Sequence, residues 1–70
     1  MNSRRYTVTG MTCGHCVSSV TEEVSTVPGV ASVDVDLASG AMVVTGEAWD
    51  DLEVLAAVEE AGYAADPVGA

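Results

Sequence analysis

Residues Val30 to Thr45 read VASVDVDLASGAMVVT, and this stretch decides the fold. Val33, Val35 and Leu37 alternate with Asp34 and Asp36, the period-two pattern of a strand with one dry and one wet face. Ala38-Ser39-Gly40 then makes a tight turn, with Gly40 suited to a positive φ. Ala41 to Thr45 returns as another strand, with Met42 and Val44 expected inward. Strands joined by so short a turn are antiparallel neighbours, because a parallel pair needs a crossover of about a dozen residues or more.

The pattern changes on both sides of this hairpin. Upstream, Arg5-Tyr6-Thr7-Val8-Thr9 alternates and is β-rich, so a first strand is expected there, ended by Gly10. Val17, Val20, Val24 and Val27 then recur at steps of three or four, one helical stripe that Pro28-Gly29 stops. Valine is a mediocre helix former, so packing must hold this helix. Downstream, Asp50 can cap a second helix, with Glu53 as its capping-box partner and Trp49 as a staple onto Val54. Leu52, Leu55, Ala56 and Val58 supply the expected apolar stripe, and Gly62 fits the left-handed position past the helix end. Tyr63 to Asp66 is a short last strand, and 67–70 read as a frayed end. The order β-α-β-β-α-β predicts an α+β, ferredoxin-like sandwich, with a four-stranded antiparallel sheet and two helices on one face. It forms a single domain over 1–70.

Composition narrows the functions available. A chain of 70 residues is one small domain; at this size only about 60% of the unfolded surface can be buried. A hydrophobic content of 49% argues against disorder. Net charge is −9, and Arg4 and Arg5 are the only basic side chains besides His15. Without a basic patch, nucleic acid is excluded as a partner, and anionic lipid surfaces are repelled. No apolar run is long enough to cross a bilayer, so direct membrane insertion is not expected. Met1 to Arg5 lead straight into a strand without a signal-peptide core, which predicts a reducing, cytoplasmic setting. The absence of a linker at either end favours a standalone protein.

Both cysteines and the one histidine lie in Gly10-Met11-Thr12-Cys13-Gly14-His15-Cys16. A disulfide across so short a loop would constrain the unfolded chain little, so chemistry explains the pair better than scaffolding. Three chemistries compete. Thiol–disulfide exchange is suggested by Cys-Gly-His-Cys, the tetrapeptide of protein disulfide isomerases, and by a thiol at a helix start. Against it stand the hairpin after the helix, Thr12 where an aromatic often precedes the motif, and no counterpart to the later cis-proline element. Structural zinc usually takes four ligands, more than two thiols and one imidazole provide. Monovalent copper is soft and takes thiolates. Two sulfurs about 4.4 Å apart would hold it, given metal–sulfur bonds of roughly 2.2 Å, and residues i and i+3 at a helix start reach that spacing. The positive helix N-terminus also favours an anionic bis-thiolate.

The Gly-Met-Thr-Cys-Gly-His-Cys loop resembles the metal loop of heavy-metal-associated domains, which include bacterial copper chaperones and the N-terminal domains of copper-transporting P-type ATPases. The resemblance extends to Val27-Pro28-Gly29-Val30, to Val33-Asp34-Val35-Asp36-Leu37 and to Ala61-Gly62-Tyr63. It implies that Cys13 and Cys16 are the metal ligands, with Cys13 on the loop and more exposed and Cys16 in the first helical turn. Both sulfurs are expected at the surface. Met11 matches the loop methionine and is expected to anchor the loop to the core. Tyr63 matches the tyrosine that bacterial copper chaperones carry beside the loop, where it can shield the anionic complex. His15 is either a solvated side chain, a tuner of the thiols, or a nitrogen donor when two molecules share copper. Thr12 and Tyr63 favour copper, since zinc- and cadmium-handling relatives often carry Asp at the former position.

The implied function is that of a Cu(I) carrier, not an enzyme, that hands its metal to the CxxC-bearing domain of a copper-transporting P-type ATPase. Such a protein is expected to be a monomer without metal, with a copper-bridged dimer as the shared-metal form. The alternatives are a regulatory domain of a metal-transporting ATPase, a Zn(II) or Cd(II) carrier, and a thiol–disulfide oxidoreductase. Ser18 and Ser19 are uncharged where familiar chaperones carry basic residues, so a neutral or mildly basic docking partner fits better.

Overall fold

A computed structural model describes residues 2–11 and 14–68. The elements run β1 (Asn2–Thr9), α1 (Gly14–Ser25), β2 (Val30–Asp36), β3 (Ala41–Gly46), α2 (Asp51–Glu60) and β4 (Ala64–Pro67). The strands form one antiparallel sheet in the order β2-β3-β1-β4, with β1 and β3 central. The hairpin forms as its period demands. Val33 pairs with Val44 and Val35 with Met42, which puts all four on the helix-covered face, while Asp34 and Asp36 are exposed. Both expected left-handed glycines are so, Gly40 at φ 75° and Gly62 at φ 95°.

The core lies between this face and the helices. Tyr6, Val8, Met42 and Val44 rise from the sheet to meet Val20 and Val24 of α1 and Val54, Ala57 and Val58 of α2. Gly46, at the end of β3, is buried because the backbones meet there: a Cβ would stand 2.1 Å from the Gly29 carbonyl oxygen. Ala31 is the extra residue of a bulge opposite this contact, where the β2–β3 register shifts between Val30 and Ser32.

Several expected boundaries and faces are corrected. β1 begins at Asn2, since its first residues pair with β3 up to Gly46. Pro67 is not frayed: it closes β4 opposite Tyr6, and the Val68 N–H donates to the Arg5 carbonyl at 2.9 Å. Leu37 belongs to the turn, not the strand. The inward stripe of α1 is Cys16, Val20, Val24 and then Val27, whereas Val17 is half-buried. On α2, Asp50 caps as expected, its side chain accepting from Leu52 N–H at 2.9 Å. The buried side of α2 is Val54, Ala57 and Val58; Leu55 is half-buried, Ala56 is exposed, and Leu52 is 72% exposed. Leu52 stands two residues before Val54, about 200° around the helix, so both cannot face the sheet.

Trp49 packs on the core, and its Nε1 donates to the Tyr6 hydroxyl at 3.1 Å. That hydroxyl donates in turn to Asp51, which also pairs with Arg4. Burial of the phenol, reinforced by the Asp51 hydrogen bond, holds the Tyr6 pKa above its ordinary 10.0. Sequence reading missed this network. Its signal was a tyrosine on the inward phase of β1, since a buried phenol needs a partner for its hydroxyl.

Candidate metal centre

Gly10 and Met11 follow β1, and α1 begins at Gly14. Gly10 turns the chain at φ 96°, a conformation that favours glycine, and the Tyr63 ring lies beside it. Met11 is half-buried and packs against the core, the anchoring role expected of it. Cys13, with Thr12, lies outside the described residues. Gly14 opens α1 and His15 is exposed.

Cys16 stands in the first turn of α1, as expected, yet it is only 7% exposed. The expectation of a surface sulfur is corrected here. The cause is helical phase: Cys16 heads the inward stripe, four residues before Val20 and eight before Val24. Its Sγ accepts a hydrogen bond from the Tyr63 hydroxyl at 2.9 Å. Tyr63 follows Gly62, which turns the chain after α2, and its half-buried ring packs on the core. Two segments far apart in sequence thus meet at one sulfur.

The local electrostatics suit an anion despite the overall charge. The first turn of α1 contains no acidic residue, so its unpaired N–H groups face no competing carboxylate. Among the described residues, no three His, Cys, Asp or Glu side chains gather as a metal cluster. None of the described helices is long and apolar enough to cross a membrane.

The chain is similar to known proteins over most of its length. The model of the heavy-metal-associated domain matches residues 5–64. Copper-transporting ATPase 2 of Rhizobium meliloti is 47% identical over 63 residues, which is 89% of this chain but 8% of that protein. The chain thus spans less than a tenth of the length of that ATPase. Copper chaperone CopZ of Staphylococcus aureus is 37% identical over 68 residues, covering 90% of this chain and 96% of CopZ. Among solved structures, the N-terminal domain of PacS from Synechocystis superposes with a TM-score of 0.90 at 32% identity, covering 99% of this chain and 100% of that one.

Proposed function

Because the chain belongs to the heavy-metal-associated domain family, we propose that it binds Cu(I) through the thiolates of Cys13 and Cys16, carries it in the cytoplasm, and passes it to a copper-transporting P-type ATPase. The observation that carries this reading is the setting of Cys16. Its sulfur is fixed in the first turn of a helix, hydrogen-bonded by Tyr63, three residues after the other cysteine. The likeness to CopZ and to the ATPase segment supports copper as the cargo.

The chemistry follows from softness and coordination number. Cu(I) is held strongly by thiolates but accepts only a few of them. An incoming thiolate from the target bonds to the metal, a three-coordinate bridge forms, and a donor thiolate then leaves as the anion. This parallels thiol–disulfide exchange through a mixed intermediate. Cys16, enclosed and hydrogen-bonded, is the anchored ligand in this scheme, and Cys13 the one that releases first. Tyr63 stabilises the Cys16 sulfur throughout by donating to it. No bond in cargo or protein is made or broken except metal–sulfur, so the domain is a binder and not an enzyme. It is monomeric without metal, and two copies sharing copper through their loops would form the bridged dimer, with exposed His15 as a candidate extra donor.

A second reading has its own support. The identity to the ATPase segment exceeds that to CopZ, which favours the same metal site serving as an ATPase metal-binding domain. The ligand chemistry is identical in both.

The test is anaerobic Cu(I) titration in competition with a strong Cu(I) chelator, beside Cys13→Ser and Cys16→Ser. One copper per chain should be retained by the native protein and lost by both variants. X-ray absorption should then show sulfur neighbours and reveal any His15 nitrogen. Normal Cu(I) retention by both variants, or Zn(II) held more tightly than Cu(I), would overturn the proposal.

A further inference from the structure

The end of α1 away from the metal loop meets the outer side of α2 in a groove of about 280 Å³. Its floor is apolar, with Val27 and Ala57 buried beneath exposed Pro28 and Ala56. Glu23, Glu53 and Glu60 stand around it, all exposed. Leu52, one turn before Ala56, extends the apolar strip and is the most exposed large hydrophobic side chain among the described residues. We propose that this groove docks a cationic, amphipathic segment of a partner protein.

Charge selects the occupant. Neither helix carries a lysine or arginine, because Arg4 and Arg5 are the only ones in the chain and both lie on β1. The acidic rim therefore has no cationic side chain of its own fold to pair with. The last turns of both helices also lack a basic residue, and Glu59 and Glu60 crowd the end of α2. Carboxylates at a helix C-terminus oppose the macrodipole, so the chain carries an unfavourable arrangement that an incoming cation would relieve. A second copy at net charge −9 is repelled from the same face, as is an anionic membrane. Lysines or arginines flanking a small apolar centre satisfy both the rim and the floor. The groove begins at Glu23, roughly 13 Å along α1 from the helix start at Gly14, at about 1.5 Å per residue. A partner held there leaves the loop end open, and docking does not depend on the metal reading.

The test titrates the ¹⁵N-labelled chain with a helical peptide of Lys, Leu and Ala whose leucines form one stripe. Controls are the same peptide with Glu for Lys, and a Lys/Ser peptide without leucine. Amide shifts should centre on Val27, Leu52, Ala56 and Ala57. Affinity should fall roughly tenfold in the triple variant Glu23→Gln, Glu53→Gln, Glu60→Gln, the combined effect of three exposed pairs. The single variant Glu60→Gln, at the end of α2, should also melt at a higher temperature, and Cys13→Ser and Cys16→Ser should bind the peptide as the native chain does. Shifts centred on Asp34 and Asp36, equal binding of the Lys/Ser peptide, dimerisation through this face, or sedimentation with phosphatidylcholine vesicles instead of peptide binding would each overturn the proposal. Should the triple variant fail to fold, the shift map on the native chain decides alone.

Discussion

Cys16 occupies a position that belongs to the core and to the site at once. Its phase on α1 is that of Val20 and Val24, which explains its 7% exposure, while its sulfur is also the acceptor for Tyr63. Sequence patterning could place the cysteine in the first helical turn, because Pro28-Gly29 and the valine spacing bound the helix. It could not fix the phase, because Val17 and Cys16 are both small enough and apolar enough to head the stripe. Nor could spacing reveal a contact across 47 residues; Tyr63 was marked only by resemblance. The hydrogen bond has a measurable consequence. In a Cys13→Ser background, Tyr63→Phe keeps the ring on the core and deletes the donor, worth about 1 kcal/mol. With the rate corrected for the fraction of Cys16 present as thiolate, alkylation by iodoacetamide should then accelerate by up to roughly fivefold, the rate equivalent of that energy. An unchanged rate would mean that the hydroxyl does not restrain the sulfur.

Among the elements, the hairpin was legible down to its faces, whereas α2 was legible in its start and stop but not in its buried side. In β2 and β3 the period of two leaves one choice, since a one-residue slip would bury Asp34 and Asp36. In α2 two stripes compete. Leu52, Leu55, Ala56 and Val58 form one; Val54, Ala57, Val58 and Ala61 form the other. The first contains the larger side chains, yet Val54, Ala57 and Val58 of the second are the ones buried, packed in one cluster with Tyr6 and Met42, and Ala61 is partly buried against it. Truncation separates the two. Val54→Ala should cost roughly 2 kcal/mol by urea unfolding, from lost burial and the cavity left behind. Leu52→Ala should stay within about 0.5 kcal/mol, as expected of an exposed site. Equal losses at the two positions would contradict the observed phase. At roughly 0.1 kcal/mol of stability per residue, the Val54 loss is a large share of what so small a domain holds.

Across the whole molecule, Tyr63 meets Cys16 at the start of α1, while the Tyr6–Asp51–Trp49 network ties the sheet to the start of α2. Arg4 adds a partly exposed ion pair to Asp51 that contributes little by itself. The buried phenol matters more, because burial and the Asp51 carboxylate disfavour its anion by more than the Trp49 N–H and the Arg4 charge support it. Its folded-state pKa is raised above 10.0. The neutral form is therefore the one that folding favours, and its contribution is complete below the unfolded value. As pH climbs past about 10, the unfolded chain ionises while the folded chain resists, and stability drains until the folded group ionises too. The difference between native protein and Tyr6→Phe, taken at each pH, isolates the effect of this one group. Urea unfolding from about pH 8 to about pH 11 should show Tyr6→Phe less stable at the lower end by about 1 kcal/mol of lost hydrogen bonding. The gap should narrow above about pH 10, because the variant has no phenol at that position to ionise. A gap that stays constant across the whole range would show that the network does not hold Tyr6 in its neutral form.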